Sequence, residues 1–312
     1  MNRRKNISRI FSVLLVVAAY GYLAYKLLTF DGYSDFAGHF RSAGWQQYLF
    51  LAIAISLYPL NIFFESCKWR FLLRHIEPMS LAQAQRQTYY GAMGAFLTPG
   101  RLGDYPTRVT MLRHKEHWLS AISLGFAGTF ALSSLQIMLG LPAAISTLGV
   151  KWYVYIIGVF FLICFFLSPF ICRHIPTENI KTDKLKSAIE VIGGISIIDM
   201  AVLIGLSALR YTVYCSQLAC VMWCSGVNLS VGDMITAILA FYLFVTITPS
   251  LPVADVGIRG SWAIIVFSHF TDNIAAIAMA VVLLWVVNSV LPMLTGSVIS
   301  RLQVSRSTNK ID

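Results

Sequence analysis

The chain has 312 residues, 57% of them hydrophobic and only 12% charged, and its mean hydropathy of +0.69 lies far above that of a water-soluble domain of this size. An ordinary soluble enzyme is thereby excluded. The net charge of +10, which in a soluble protein would point to nucleic acid, is explained better by position. Arg3, Arg4, Lys5 and Arg9 precede the first apolar run, and Lys68, Arg70 and Arg74 follow the second. Arg173, Lys181, Lys184 and Lys186 fill a central loop, and Arg301, Arg306 and Lys310 lie beyond the last run. Basic clusters of this kind mark cytoplasmic loops. The expectation is an all-α polytopic protein of the cytoplasmic membrane, N-terminus inside, with the bilayer as its partner and no nucleic acid.

Helices rather than a barrel follow from unbroken apolar runs of about 20 residues, since barrel strands alternate over about ten. The first run, from Ile10 to Leu28, is too long for a cleaved leader and reads as a signal anchor. Plain spans are predicted at 9–29, 46–66, 118–140, 152–172 and 274–299, each bounded by charge, Pro or Gly. Glu65, Lys68 and Arg70, at the end of the second span, read first as interfacial anchors, with a cavity role for Glu65 as the second reading. The mostly apolar stretch 187–226 would make a helix of about 60 Å, twice a bilayer. A break is expected near Gly205 to Ser207, giving either two spans or one span plus an interfacial helix. Arg210 in this stretch is costly in lipid, and as Asp199 lies about 16 Å away along a straight helix, direct pairing between them is not expected.

Two stretches are too interrupted to be ordinary spans. The first, Ser80 to Leu112, is helical to about Leu97 and then reads Thr98-Pro99-Gly100-Arg101-Leu102-Gly103-Asp104-Tyr105-Pro106-Thr107-Arg108. The second, Ser230 to Phe267, is helical to about Ile247 and then carries Thr248, Pro249, Pro252, Asp255, Gly257, Arg259 and Gly260. Ser80 matches Ser230 and Thr98-Pro99 matches Thr248-Pro249 at a fixed offset of 150. Proline removes a backbone donor and glycine permits conformations other residues resist. Pro99, Gly100, Gly103, Pro249, Pro252 and Gly257 are therefore the expected structural breaks. Corresponding interruptions in two halves are the mark of broken or re-entrant helices in a transporter-type internal repeat. The chain is thus read as one integral membrane domain, 1–312, with about six to eight membrane helices and repeat halves near 40–172 and 187–300.

Non-helical backbone at membrane depth is tolerated only where protein or trapped water surrounds it, so two breaks predict a central polar cavity. Ionised groups near them must be paired or hydrated. Arg101, Arg108 and Arg259 present planar forks suited to phosphate oxygens and are the candidate headgroup ligands. Asp104 and Asp255 are expected to orient them or to cap the restarting helices. Cys67, Cys164, Cys172, Cys215, Cys220 and Cys224 lie in or at the ends of apolar segments without a Cys-x-x-Cys pair and read as membrane-core residues. His114 and His117, three apart, read as loop residues rather than ligands. No metal or cofactor is expected.

The strings "CKWRFLLR", "FLTPGRLGDYPTRVTML" and "TPSLPVADVGIRGSWAI" resemble the membrane family that includes the flippase region of lysylphosphatidylglycerol synthases and archaeal proteins described as dolichyl-phosphate glycosyltransferases. In that family the first break reads Pro, a small residue, Arg, any residue and Gly-Glu, with Arg a few positions on. Arg101, Gly103 and Arg108 match, and Asp104 stands where Glu is usual. The second break ends in Gly, any residue and Arg-Glu; Gly257 and Arg259 match, while Gly260 replaces the glutamate and Asp255 occupies a place where glycine is common. The resemblance implies movement of a phospholipid or polyprenyl-phosphate-linked headgroup between leaflets, by a stand-alone membrane region without the soluble synthase domain. A membrane-embedded enzyme acting on lipid-linked phosphate or sugar, or an accessory scaffold of envelope biogenesis, are the alternatives.

Overall fold

A computed structural model describes residues 38, 40–98, 101–149, 151, 155–180, 182–248 and 255–308. The predicted span at 9–29 and the predicted breaks Pro99, Gly100, Pro249 and Pro252 lie outside the described residues. Within them the fold is all helical: α1 (Trp45–Leu73), α2 (Leu81–Leu97), α3 (Asp104–Val109), α4 (Trp118–Leu148), α5 (Tyr155–His174), α6 (Asp183–Gly193), α7 (Ile197–Cys224), α8 (Val231–Ile247), α9 (Asp255–Phe267), α10 (Ile274–Trp285) and α11 (Leu291–Thr308). A π-helical turn, Val286–Val290, joins α10 to α11. Segments Trp45–Leu73, Lys115–Leu148, Ile197–Cys224 and Ile274–Ile299 are long and apolar enough to cross a membrane, and Gly158–His174 and Val231–Ile247 are shorter apolar helices. The protein is a polytopic membrane protein.

Local chemistry sets the element boundaries. Ser80 opens α2 with a capping box: its Oγ accepts from the Gln83 amide at 3.3 Å, and Gln83 Oε1 accepts from the Ser80 amide at 2.8 Å. Ser230 caps α8 likewise through the Asp233 amide at 3.2 Å. Both helices run 17 residues and stop at the predicted points, Leu97 and Ile247. The 187–226 stretch breaks at Gly194 to Ser196, not at Gly205 to Ser207 as expected, because Ser196 and Asp199 form a capping box that starts α7 there. Gly205 sits mid-helix in open space and Ser207 is fully buried. The result is a short amphipathic α6 followed by an uninterrupted 28-residue α7. The second predicted span extends to Leu73, which carries Glu65 and Lys68 into the interior instead of leaving them as anchors.

Helix α1 packs along α7, and their contacts fix the relative direction. Phe50 meets Trp223, the Ala54 carbonyl accepts from Gln217, Asn61 meets Arg210, and Arg74 pairs with Asp199 at 2.7 Å. Numbers rise in one helix as they fall in the other, so the two are antiparallel. Two glycine seams bring pairs of helices into close contact. On α4, a Cβ at Gly140 would lie 2.7 Å from the Leu239 carbonyl and 2.6 Å from Leu243 Cβ of α8; on α11, a Cβ at Gly296 would overlap the Tyr89 carbonyl and lie 3.5 Å from Met93 Cβ of α2. Only a residue without a side chain permits backbones to approach so closely.

Gly296→Val is therefore expected to force α11 off α2 and to cost about 1–3 kcal/mol as an overpacking change. The check is thermal unfolding of detergent-purified protein, with Gly205→Ala, which meets nothing within 4 Å, expected to leave the midpoint unchanged or slightly raised.

Candidate functional site

The first break brings α2 and α3 together around small residues. Thr98, capping the end of α2, donates its hydroxyl to the Gly94 carbonyl at 3.0 Å and accepts the Gly103 amide at 2.6 Å, so one side chain bridges the gap. Gly103 serves as N-cap of α3 and Asp104 begins its first turn; the expected carboxylate cap is thus displaced by one residue. Pro106 is tolerated within this first turn because its amide would have no partner inside the helix. A Cβ at Gly91 would lie 2.6 Å from Arg108 Cγ, and one at Gly94 would lie 2.7 Å from the Gly103 carbonyl. These two glycines of α2 are what admit α3 and its ion pair.

Inside that space a charge cluster is built. Asp104 holds Arg108 in a fork, Oδ1 accepting from Nε at 2.6 Å and Oδ2 from Nη2 at 2.8 Å. Arg108 Nη2 also lies 2.9 Å from Glu65 Oε1, and Glu65 Oε2 pairs with Lys68 Nζ at 2.9 Å and with Arg210 Nη1. Lys68 donates onward to the Gly128 carbonyl at 3.2 Å. Arg210 is steered by Asn61 Oδ1 and the Tyr214 hydroxyl, each at 2.9 Å. Glu65, Lys68 and Arg108 are 1–2% exposed. Burying charges costs several kcal/mol each unless the geometry is excellent, and here every carboxylate oxygen has a cationic partner. Aromatic rings close the cluster: the Arg108 guanidinium lies 4.9 Å from the Tyr105 ring and 5.2 Å from that of Trp69, and Tyr105 donates to or accepts from Thr129 of α4 at 2.7 Å.

The residues flanking the second break carry a similar pair, less buried. Asp255 Oδ1 accepts from Arg259 Nε at 3.0 Å, with side chains 17% and 22% exposed. Thr248 Oγ1 accepts from Trp262 Nε1 at 3.0 Å, and Trp262 stacks on Phe244 with ring centres 4.4 Å apart. Gly257, expected in the break, lies in the first turn of α9 and meets nothing within 4 Å.

Described residues flanking both breaks line a cavity of about 390 Å³, a size suited to a small-molecule ligand. Arg101, Arg210 and Arg259 line it with Glu65 and Asp104, and Thr129, Ser133, Gln136, Thr246, Thr248 and Ser289 add polar groups. Phe126, Phe241 and Trp285 supply apolar wall. Of the five residues singled out from sequence, Arg101, Asp104 and Arg259 face this cavity, Arg108 lies behind it in the cluster, and Asp255 orients Arg259. Arg101 is the one non-glycine residue with positive φ (60°) among the described residues, a conformation that costs roughly 1–2 kcal/mol. A cavity role for Glu65 was the second reading from sequence and Arg210 stood out only as a costly charge, while the sharing of Glu65 by three cations and the contributions of Lys68 and Tyr214 were not foreseen. The available signal was the presence of Glu65 and Arg210 as charges within apolar runs, costly unless matched. Among the described residues no group of three or more His, Cys, Asp and Glu converges as a metal site would.

Comparison with known proteins gives one family: the model for the lysylphosphatidylglycerol synthase TM region matches residues 9–302. No curated protein and no solved structure matches the chain.

Glu65→Gln removes the carboxylate that three cations share. It is expected to cost about 3–5 kcal/mol, the usual penalty for breaking a buried pair, read as lost expression or a lowered unfolding midpoint in detergent. Glu65→Gln combined with Arg210→Gln is expected to recover part of that loss, because one unpaired cation is removed with it.

Proposed function

The chain belongs to the family of the lysylphosphatidylglycerol synthase transmembrane region, and on that footing we propose that it is a lipid transporter of the flippase type. In this reading the cavity holds the anionic phosphate-bearing headgroup of a phospholipid or polyprenyl-phosphate lipid while the acyl or prenyl chains stay in the bilayer. The observation that carries it is the convergence of three guanidiniums, Arg101, Arg210 and Arg259, from three separate segments on one cavity. Guanidinium forks are matched to phosphate oxygens. Arg101 and Arg259 are not tied up in the Glu65 cluster, and the strained backbone at Arg101 is consistent with a side chain held for a purpose. The threonines, serine and glutamine of α4 and α8 supply neutral hydrogen bonds along the same wall. The protein sits in the cytoplasmic membrane with its basic loop around Arg173 to Lys186 inside.

The repeat halves near 40–172 and 187–300 are proposed to be inverted. Several correspondences support this. Ser80 and Ser230, Thr98 and Thr248, Tyr89 and Leu239, and Met93 and Leu243 are each 150 apart. The last two pairs are the residues on which Gly296 and Gly140 rest. Each half therefore lends a glycine-bearing helix to the equivalent helix of the other. With α1 and α7 as counterparts, their antiparallel packing requires a pseudo-two-fold axis across the helices. Helices α2 and α8, about 26 Å long, fall short of a full crossing of about 30 Å. Breaks facing one another from opposite directions would let rocking of one half against the other open the cavity to either leaflet.

Reconstitution in vesicles with fluorescent phosphatidylglycerol and a short polyprenyl phosphate tests the transport reading. Protein-dependent movement of at least one phosphate lipid is expected, slowed about tenfold by Arg259→Gln or Arg101→Gln, as expected for loss of a charge-assisted contact of about 1.5 kcal/mol. Absence of movement for every phosphate lipid overturns it. The inverted repeat predicts that thiols introduced as Gln46→Cys and Gly194→Cys in a cysteine-free background are labelled from opposite faces of the membrane; labelling from one face rules it out.

A further inference from the structure

Behind the main cavity, and sharing Glu65, Arg101, Asp104, Arg210, Tyr214 and Asn288 with it, lies a second chamber of about 20 Å³. That is room for one water-sized particle and little more. Two of its lining donors have no partner among the described residues: Arg108 Nη1 and Asn288 Nδ2. Arg108 is 1% exposed, and its other two nitrogens are already taken by Asp104 and Glu65. An unsatisfied guanidinium N–H at such a depth costs more than an ordinary lost hydrogen bond. Asn288 is delivered by the π-helical turn Val286–Val290, a departure from α geometry that recurs at functional sites.

The charge count indicates what would fill the space. The chamber is lined by the carboxylates of Glu65 and Asp104 and by the guanidiniums of Arg101, Arg108 and Arg210; Arg108 is buried, Arg210 is 14% exposed, and Lys68, outside the lining, shares Glu65 with them. A water molecule would satisfy the two donors but leave the excess of guanidiniums over carboxylates in the lining without a counter-charge.

We propose that the 20 Å³ chamber between Arg108 and Asn288 binds one small anionic atom. It is a free halide-sized ion or, when a lipid occupies the main cavity, a single non-bridging oxygen of its phosphate. The free-ion half of this inference is independent of the transport reading.

The test uses the full chain purified in a maltoside detergent, which carries no phosphate, with gluconate replaced by bromide at constant ionic strength. A saturable rise in the unfolding midpoint is expected, and Asn288→Leu shifts the half-saturating bromide concentration at least tenfold. Arg259→Gln, which changes only the main cavity, leaves the bromide effect in place even where it slows lipid movement, so the two readings fail separately. Should Asn288→Leu not fold, Asn288→Ala serves. Protection by dihexanoyl phosphatidate but not by bromide, lost in the Asn288 variant, assigns the anion to the headgroup. If neither bromide nor phosphatidate gives an effect sensitive to Asn288, the chamber holds solvent and the proposal is overturned.

Discussion

Glu65 ties together helices that sequence distance would never predict to be neighbours. Its two oxygens accept from Lys68 on the same helix, Arg108 on α3 and Arg210 on α7. Helix α3 has only six residues and could not hold a position by its own hydrogen bonds. It is fixed instead by the electrostatic demand of a buried carboxylate on one side and by the Tyr105 ring lying against Trp69 and Gly125 on the other. Remove that demand and the first break is left with the Tyr105–Trp69 stack as its hold on α1.

From this anchor the cavity follows. Arg108 is drawn inward by Glu65 and Asp104, which leaves Arg101, Arg210 and Arg259 as the cations at the wall of the larger space. The division of labour is physical rather than sequential: the most deeply buried arginine, Arg108, is structural first, Arg210 is held by Glu65, Asn61 and Tyr214 at the edge of the cavity, and Arg101 and Arg259 lie outside the Glu65 cluster. The two breaks are alike in wiring, each with an acid–arginine pair four residues apart and a threonine bridging or bracing the gap. They differ in burial, with Arg108 sealed and Arg259 partly open.

Much of this was legible in the sequence. Apolar run lengths gave the class, Pro and Gly placed the ends of α2 and α8, and the charges at 101, 104, 108, 255 and 259 marked the region of the cavity. What sequence could not supply was partnership across the chain. Glu65 sits one turn from a basic cluster and therefore looks interfacial, and only the continuation of α1 to Leu73 carries it inside. Arg210 looked isolated because its partner is 145 positions away. The break before α7 was misplaced because Gly205 attracts attention as a helix breaker, whereas a capping serine and aspartate at 196 and 199 fix the boundary. Asn288 gave no signal, since a π-helical turn has no simple sequence signature.

The glycine seams also constrain how the molecule is made. The Tyr89 backbone of α2 packs directly against Gly296 of α11, a residue synthesised roughly two hundred positions later, and contacts of such separation form late. Until α11 emerges, α2 and the short helix beyond its break must wait with their backbone and charges incompletely sheltered. The first break is therefore completed against its final neighbours only once the last helix has been made, and until then its non-helical backbone needs shelter from lipid by other means.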